Sequence, residues 1–209
     1  MHDIDYKITQ DKGFIKESLL LRRYIYENDK NMNGLLSKGK RDNYDYDHNT
    51  HTTLLYQSNK PIATARLTIR TNDNTAKLPI EDTGFSIYEL FPNLIGKKVK
   101  LSQYSKLLIL PEVRGFSILI KLFLILQKKA NMFNVDYAIL DTNNEFRCRL
   151  FCRLCKKVGV EAKYLSNLEI PPTQYCQYNN IKVVVIMHKP CLDPIEEIFY
   201  PGKRFLKSK

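Results

Sequence analysis

The segment Leu107–Leu122, LLILPEVRGFSILIKL, constrains the fold of this 209-residue chain more than any other. An apolar run meets Pro111-Glu112-Val113-Arg114-Gly115, and a long apolar stretch of helical character follows at once. The pattern is that of a buried strand, a tight turn and a helix N-terminus. The first turn of a helix presents backbone N–H groups without intrahelical partners and about half a positive elementary charge. Such a turn suits a phosphate or the arm of a thioester-bearing cofactor.

The elements around it follow from periodicity. Phe14, Ile15, Ser18, Leu19, Arg22 and Tyr26 fall at helical spacing and predict an amphipathic helix over Phe14–Glu27. Asn28–Thr50, rich in Asn, Asp, Gly and Lys, reads as a loop of a length usually functional or disordered. A hairpin comes next, Thr52–Ser58 and Ile62–Ile69, with its turn at Asn59-Lys60-Pro61. Thr71–Thr83 is a polar connector, and Ile87–Phe91 is a short segment closed by Pro92. Val99–Leu110 reads as a strand, Ser117–Ala130 as a buried helix and Asp136–Thr142 as a strand. Glu145–Val158 predicts an amphipathic helix with Phe146, Leu150, Phe151, Leu154 and Val158 inward, stopped by Gly159. Strands at Val160–Leu165 and Ile181–Met187 flank a Pro171-Pro172 loop. The order α, β-β, β-α-β-α, β-β predicts an α/β (α+β) protein, a mixed sheet with helices on both faces. No repeat or Gly/Ser linker interrupts it, so residues 1–209 read as a single domain with a basic tail from about residue 200.

Composition narrows the function classes. The N-terminal MHDIDYKITQDK lacks the apolar core of a signal peptide. The longest apolar stretches, Leu107–Leu110 and Ile118–Leu126, fall short of the ~20 residues that span a bilayer. The expected location is cytoplasmic. There are five cysteines, Cys148, Cys152, Cys155, Cys176 and Cys191, and an odd number without an export signal argues against a disulfide framework. The first three share helical spacing and read as buried thiols rather than metal ligands, so no metal is expected. A net charge of +11 favours an anionic partner. A basic nucleic-acid-binding module is disfavoured, because the basic-aromatic stretch Lys38–Tyr46 carries aspartates that oppose phosphate contact.

Candidate chemistry gathers in two places besides the PEVRG turn. Asp42, Asp45 and Asp47 alternate with Tyr44 and Tyr46, and Arg66 follows in the hairpin. The period of a strand puts Arg66 with Thr64 and Thr68, opposite Ala65 and Leu67. An Arg on that face is often solvent-exposed, yet the preceding loop supplies carboxylates to pair with it. His48 and His51 read as solvated loop residues, and Tyr104 and Tyr137 as packing. No GK[ST], HExxH or G-x-S-x-G motif occurs.

Pro111, Glu112, Arg114, Gly115, Ile118 and Leu122 resemble the acyl-donor motif of the GNAT N-acyltransferase superfamily, LPEYRGKGIGSxLL; Ser117 and Leu119 replace its two later glycines. Arg22-Arg23-Tyr24, Asp42 with Tyr46-Asp47, Ala65-Arg66-Leu67 and Gln103-Tyr104-Ser105-Lys106 resemble, in that order, the layout of the acyl-homoserine lactone synthases and N-acyl amino acid synthases, the autoinducer synthase-like group. Their fourth element reads E-x-S-R. The resemblance implies a GNAT-like fold with a mostly antiparallel central sheet. It also implies transfer of an acyl group from a phosphopantetheine thioester to a small amine such as an amino acid. By the same resemblance, Asp42, Asp47, Arg66, Gln103 and Lys106 are the catalytic candidates. Leu108, Leu110, Val113, Arg114, Gly115, Phe116 and Ser117 would bind the donor, where Leu107–Leu110 and Tyr137–Leu140 splay apart. Without the glycines, backbone approaches a coenzyme A pyrophosphate less closely. An acidic acyl carrier protein, with one phosphate on its arm, is therefore expected as donor and partner in preference to acyl-coenzyme A. The basic face Arg147–Lys157 reads as a solvated helix face, with carrier-protein docking as its functional alternative. Gln103 cannot take a proton, so Asp42, Asp45 or Asp47 would serve as base, or positioning and backbone N–H groups would suffice. A catalytically degenerate GNAT-fold binding protein is the alternative.

Overall fold

The structure is a computed structural model that describes residues 4–29, 42–70, 76–170, 181–189 and 194–199. Its elements in chain order begin with β1 (Ile4–Thr9), α1 (Lys12–Asn28), β2 (Thr50–Gln57) and β3 (Lys60–Ile69). They continue with α2 (Ile87–Leu90), β4 (Leu101–Ile109), α3 (Phe116–Met132), β5 (Tyr137–Thr142) and α4 (Glu145–Lys157). Last come β6 (Glu161–Ile170), β7 (Ile181–Met187) and α5 (Ile195–Ile198), while single 3-10 turns cover Pro79–Thr83, Pro92–Leu94 and Pro111–Val113. Among the described residues, seven strands make a mostly antiparallel sheet in a mixed α/β architecture, the expected fold class. The chain divides into two compact units, Met1–Thr68 with Tyr104–Lys129, and Ile69–Gln103 with Ala130–Lys209.

In the first unit, α1 starts where Asp11, in extended backbone, accepts from Gly13 N at 2.8 Å and Phe14 N at 3.2 Å, satisfying two of the helix's orphan donors. Its buried face is Ile15, Ser18, Leu21, Arg22, Ile25 and Tyr26, the 3.6-residue stripe read from the sequence with Arg22 inside it. Leu21, Ile25 and Tyr26 pack with Leu54 of β2 and Leu108 of β4. β2 and β3 pair antiparallel through Ser58-Asn59, both left-handed, the two-residue turn that matches strand twist; it falls one residue earlier than expected. β1 was not anticipated. Only Ile4, Ile8 and Thr9 of Ile4–Thr9 are partly buried, so it lacks the clean alternation that signals a strand, and its pairing with β2 defines it.

In the second unit, β5, β7 and β6 form an antiparallel set, with Tyr137 opposite Met187 and Glu161 opposite Met187 on its other side. β6 runs to Ile170, past the expected Leu165, with an irregularity between Tyr164 and Glu169. One core joins Leu78, Ile87, Leu90, Phe91 and Leu101 to Tyr137, Val183, Val185 and Phe199. α4 is capped by Asn144 and ends at left-handed Gly159, with Val160 N donating to Cys155 O at 2.9 Å. The inward reading of α4 holds for Phe151 and Leu154 and fails for Phe146, which is 69% exposed. Phe146 lies in the first turn of a helix whose buried face begins at Cys148, so the periodicity overran the element's packed length. Cys148, Cys152 and Cys155 are free thiols, the first and last buried. Pro171-Pro172, Cys176, Cys191 and the basic tail lie outside the described residues.

Candidate active site

Residues 42–49 fold back as successive turns, and this brings two of their three aspartates to Arg66. Asp42 N donates to Asp45 Oδ2 at 2.9 Å, and Tyr44 N donates to Asp42 Oδ1 at 3.0 Å, so the carboxylates brace the loop that carries them. Arg66 Nη1 donates to Asp42 Oδ1 and, at 3.0 Å, to Asp45 Oδ1, while its Nε donates to Ser105 Oγ at 3.1 Å. Arg22 of α1 reaches the same Asp45 oxygen from Nη2 at 2.6 Å. Lys106 Nζ stands 3.5 Å from Asp42 Oδ2. Arg66 is 2% exposed, not the outward-facing residue that its strand face alone suggested. That face is covered, since Thr64 Oγ1 meets Ser18 Oγ of α1 at 2.6 Å.

The backbone of β4 explains how adjacent residues reach one cluster. Successive side chains of a regular strand point to opposite faces. Lys106 has φ 53°, left-handed for a residue with a Cβ, so the strand is locally broken, and Ser105 and Lys106 both address the Arg66 group.

The electrostatics separate the roles of the two aspartates. Asp45 has a side-chain exposure of 0%, and its two oxygens are held by Arg22, Arg66 and the Asp42 amide. Asp42 is 30% exposed at its side chain. Burial alone would raise its pKa, but Arg66, its hydrogen bond, Lys106 and the Tyr44 amide prevail and hold the carboxyl below the usual range. Burial lowers the Lys106 amine from the ordinary lysine value, Arg66 and Arg22 lower it further, and Asp42 opposes them.

The remaining catalytic candidates lie elsewhere. Asp47 turns to its own loop, accepting from Asn49 N at 2.7 Å, and Arg66 is held by Asp42 and Asp45 instead. In the second unit, Gln103 is 1% exposed, accepts from Ile80 N at 2.7 Å and donates to Asp141 Oδ1 at 2.5 Å. Sequence reasoning named Asp45 only as one of three alternative bases and Arg22 only as part of a motif, and assigned neither a place beside Arg66. The signal for both was present: Arg22 sits on the apolar stripe of α1, where an Arg needs a buried partner.

Among the donor candidates, the turn Pro111–Ser117 is mostly exposed and leads into α3, with Leu119 N donating to Gly115 O at 3.2 Å. A Cβ at Gly115 would meet nothing closer than 3.9 Å, so the space beside this residue is open. Leu108 is 4% exposed and packed in the core with α1, and Leu110 packs against the same cluster. The Leu110 amide is already engaged, donating to Ile62 O at 2.9 Å. Arg114 pairs with Asp29 at 2.5 Å, at the C-terminal cap of α1. A carboxylate there opposes the helix dipole, and Arg114 compensates it. Phe116 and Ser117 are exposed at the helix start. Tyr104 stacks edge-on against Phe123, and Tyr137 against Phe199, with no exposure at either tyrosine. His48 is exposed, whereas His51 is buried and its pKa is pushed down to about 4 by burial and by Lys129.

A mixed, mostly antiparallel sheet with a strand–PEVRG–helix turn is the architecture of the GNAT-like acyltransferases. Comparison with known folds agrees. The structure of FeeM, an N-acyl amino acid synthase from uncultured soil microbes, aligns with TM-score 0.63 and 14% identity, over 90% of this chain and 92% of that one. The acyl-homoserine lactone synthase LasI aligns with TM-score 0.58 and 13% identity, over 96% and 97%. BjaI, a CoA-dependent acyl-homoserine lactone synthase with SAM and isopentyl-CoA bound, aligns at 0.55 and 12%, over 91% and 85%. The family model of the N-acyl amino acid synthase FeeM matches residues 15–166, and the chain belongs to that family and is an N-acyltransferase. Comparison with curated protein sequences gave no match.

Proposed function

We propose that this N-acyltransferase moves an acyl group from an acyl carrier protein to a small amine, an amino acid or a related metabolite, and that residues 1–209 act as one catalytic domain. The observation that carries the reading is the buried Arg66–Asp42–Asp45 cluster, of which only Asp42 and Lys106 retain exposure. It supplies fixed charges to orient a polar acceptor while thioester chemistry proceeds at the exposed turn before α3. The FeeM match spans parts of both compact units, which supports one domain.

In this reading the amides that open α3 take the phosphate of the donor arm, with Val113, Arg114, Gly115, Phe116 and Ser117 forming the turn. Arg114 acts chiefly by fixing that turn to Asp29. Asp42 orients the acceptor. Asp45 holds the loop, and Asp47 caps its own turn. Gln103 positions Asp141. The preference for carrier protein over coenzyme A rests on Ser117 and Leu119 and on the basic surface of α4, where Arg147, Arg149, Arg153, Lys156 and Lys157 are all exposed. Among the described residues, no helix is long and apolar enough to cross a membrane.

The test is an amide-forming assay that pairs acyl carrier proteins and acyl-coenzyme A species with a panel of amino acids and other amines. Amide product from a carrier-bound donor with higher kcat/KM than from coenzyme A is expected. Equal use of coenzyme A would remove the carrier-protein part, and turnover with no amine would remove the whole reading.

A further inference from the structure

We propose that the uncharged ε-amine of Lys106 takes the proton from the attacking amine and returns it to the leaving sulfur. The inference rests on the acyl-transfer reading above. Three observations converge on this side chain. Lys106 sits at φ 53° inside β4, a conformation that costs a residue with a Cβ on the order of 1–2 kcal/mol. Such strain persists only where the surroundings over-determine it, and its effect here is to bring the amine to the Asp42–Arg66 cluster.

The second observation is the chemistry of its neighbours. Lys106 faces Asp42 and Asp45 from the turns before β2, Arg66 from β3 and Arg22 from α1. Both guanidiniums stay charged at any working pH and take no proton. Asp45 is wholly buried and its oxygens are occupied. Asp42 is stabilised as the anion and is a poor base for that reason. Gln103 cannot accept a proton. An amine is therefore the one group of this cluster with a strongly basic neutral form, and the resemblance places an arginine, which cannot titrate, at its position.

The third is access. The Lys106 and Asp42 side chains keep 19% and 30% exposure, while Arg22, Arg66 and Asp45 behind them are buried. Burial and the guanidiniums both favour the neutral amine, consistent with its lowered pKa. The step balances. The acceptor nitrogen attacks the thioester carbonyl, the N–C bond forms and the C–S bond breaks. Nζ takes the one proton that the nitrogen loses, and the Lys106 ammonium gives one proton to the departing thiolate. An acceptor that arrives as an ammonium ion first releases its extra proton to water.

The experiment measures donor binding, acceptor KM and kcat between about pH 6 and pH 10 for the wild-type chain, Lys106→Arg and Asp42→Asn. Wild-type kcat should rise with pH, with a midpoint below the ordinary lysine value. Lys106→Arg should bind donor normally, lose about 100-fold or more in kcat and show no such rise. Asp42→Asn should move the midpoint to lower pH, because the carboxylate that favours the ammonium is gone. A shift of that sign is not expected if the lysine merely packs. Should arginine fail to fit, folded Lys106→Ala should regain turnover with an added tertiary amine, which takes a proton but forms no stable amide. Wild-type kcat and pH profile in Lys106→Arg, or no rescue of donor-binding Lys106→Ala, would overturn the proposal. A wild-type chain that binds donor and acylates no amine would overturn the acyl-transfer reading itself.

Discussion

Asp42 and Asp45 are three residues apart and should respond to substitution to different degrees in stability. Asp45→Ala strands two buried guanidiniums, a change expected to cost about 3–5 kcal/mol, and the urea midpoint should drop accordingly. Asp42→Ala exposes less and should cost markedly less stability while lowering turnover. If both variants lose equal stability, the division between the two carboxylates is wrong. The histidines carry a pH signature. His51 and His188 are each depressed from 6.5 to about 4, chiefly by burial. The unfolded chain then binds protons between these values that the folded chain refuses. Their stabilisation is complete above about pH 6.5 and is lost as the pH falls toward 4, on the order of 3 kcal/mol for each residue. His51→Gln should flatten that part of the curve of urea midpoint against pH. The pairing of Arg66 with Asp45 rather than Asp47 was not legible in the sequence. Both aspartates lie in one acidic run, and the choice is made by loop turns that bind Asp47 to Asn49 N.

At the level of elements, the helices and most strands were legible because their packed faces repeat with a clean period. The misses are physical. β1 is short and exposed on much of its length, so neighbouring backbone rather than side-chain pattern specifies it. The break in β4 leaves no mark in the letters Gln-Tyr-Ser-Lys, since no glycine stands at the left-handed position. The PEVRG turn was legible for the opposite reason, because proline, glycine and the flanking apolar runs each restrict the backbone. That turn gives a direct test. Gly115 lies outside the left-handed region, and an added Cβ has open space, so Gly115→Val should fold with little change in Tm. A branched side chain there should obstruct a phosphate at the start of α3. Loss of one charge-assisted hydrogen bond, about 1.5–3 kcal/mol, would weaken donor binding by at least roughly tenfold. Unchanged donor affinity by calorimetry would separate this turn from donor recognition.

For the whole molecule, the net charge of +11 would, under the proposed carrier-protein reading, act on encounter with the acidic donor more than on chemistry. Arg149 already engages Glu145 at 2.7 Å, so Arg153, Lys156 and Lys157 are the better positions for charge reversal. Their glutamate variants should raise KM for the carrier-bound donor and leave kcat nearly unchanged. The wild-type preference should fade as salt shortens the screening length from ~10 Å at 0.1 M to ~3 Å at 1 M. A preference insensitive to salt would assign α4 to solvent alone. The division of the chain into two interleaved units has a further consequence, for synthesis. The first unit takes Met1–Thr68 and then waits for Tyr104–Lys129, while the second begins at Ile69 and closes with the C-terminal segment. A ribosome releasing the chain from its N-terminus therefore cannot complete either unit as an uninterrupted stretch. The hairpin of β2 and β3 emerges after β1 and α1 but before Tyr104–Lys129, the segment that completes its unit. Translation speed between codons 69 and 129, rather than final stability, should then govern how much of the protein escapes aggregation.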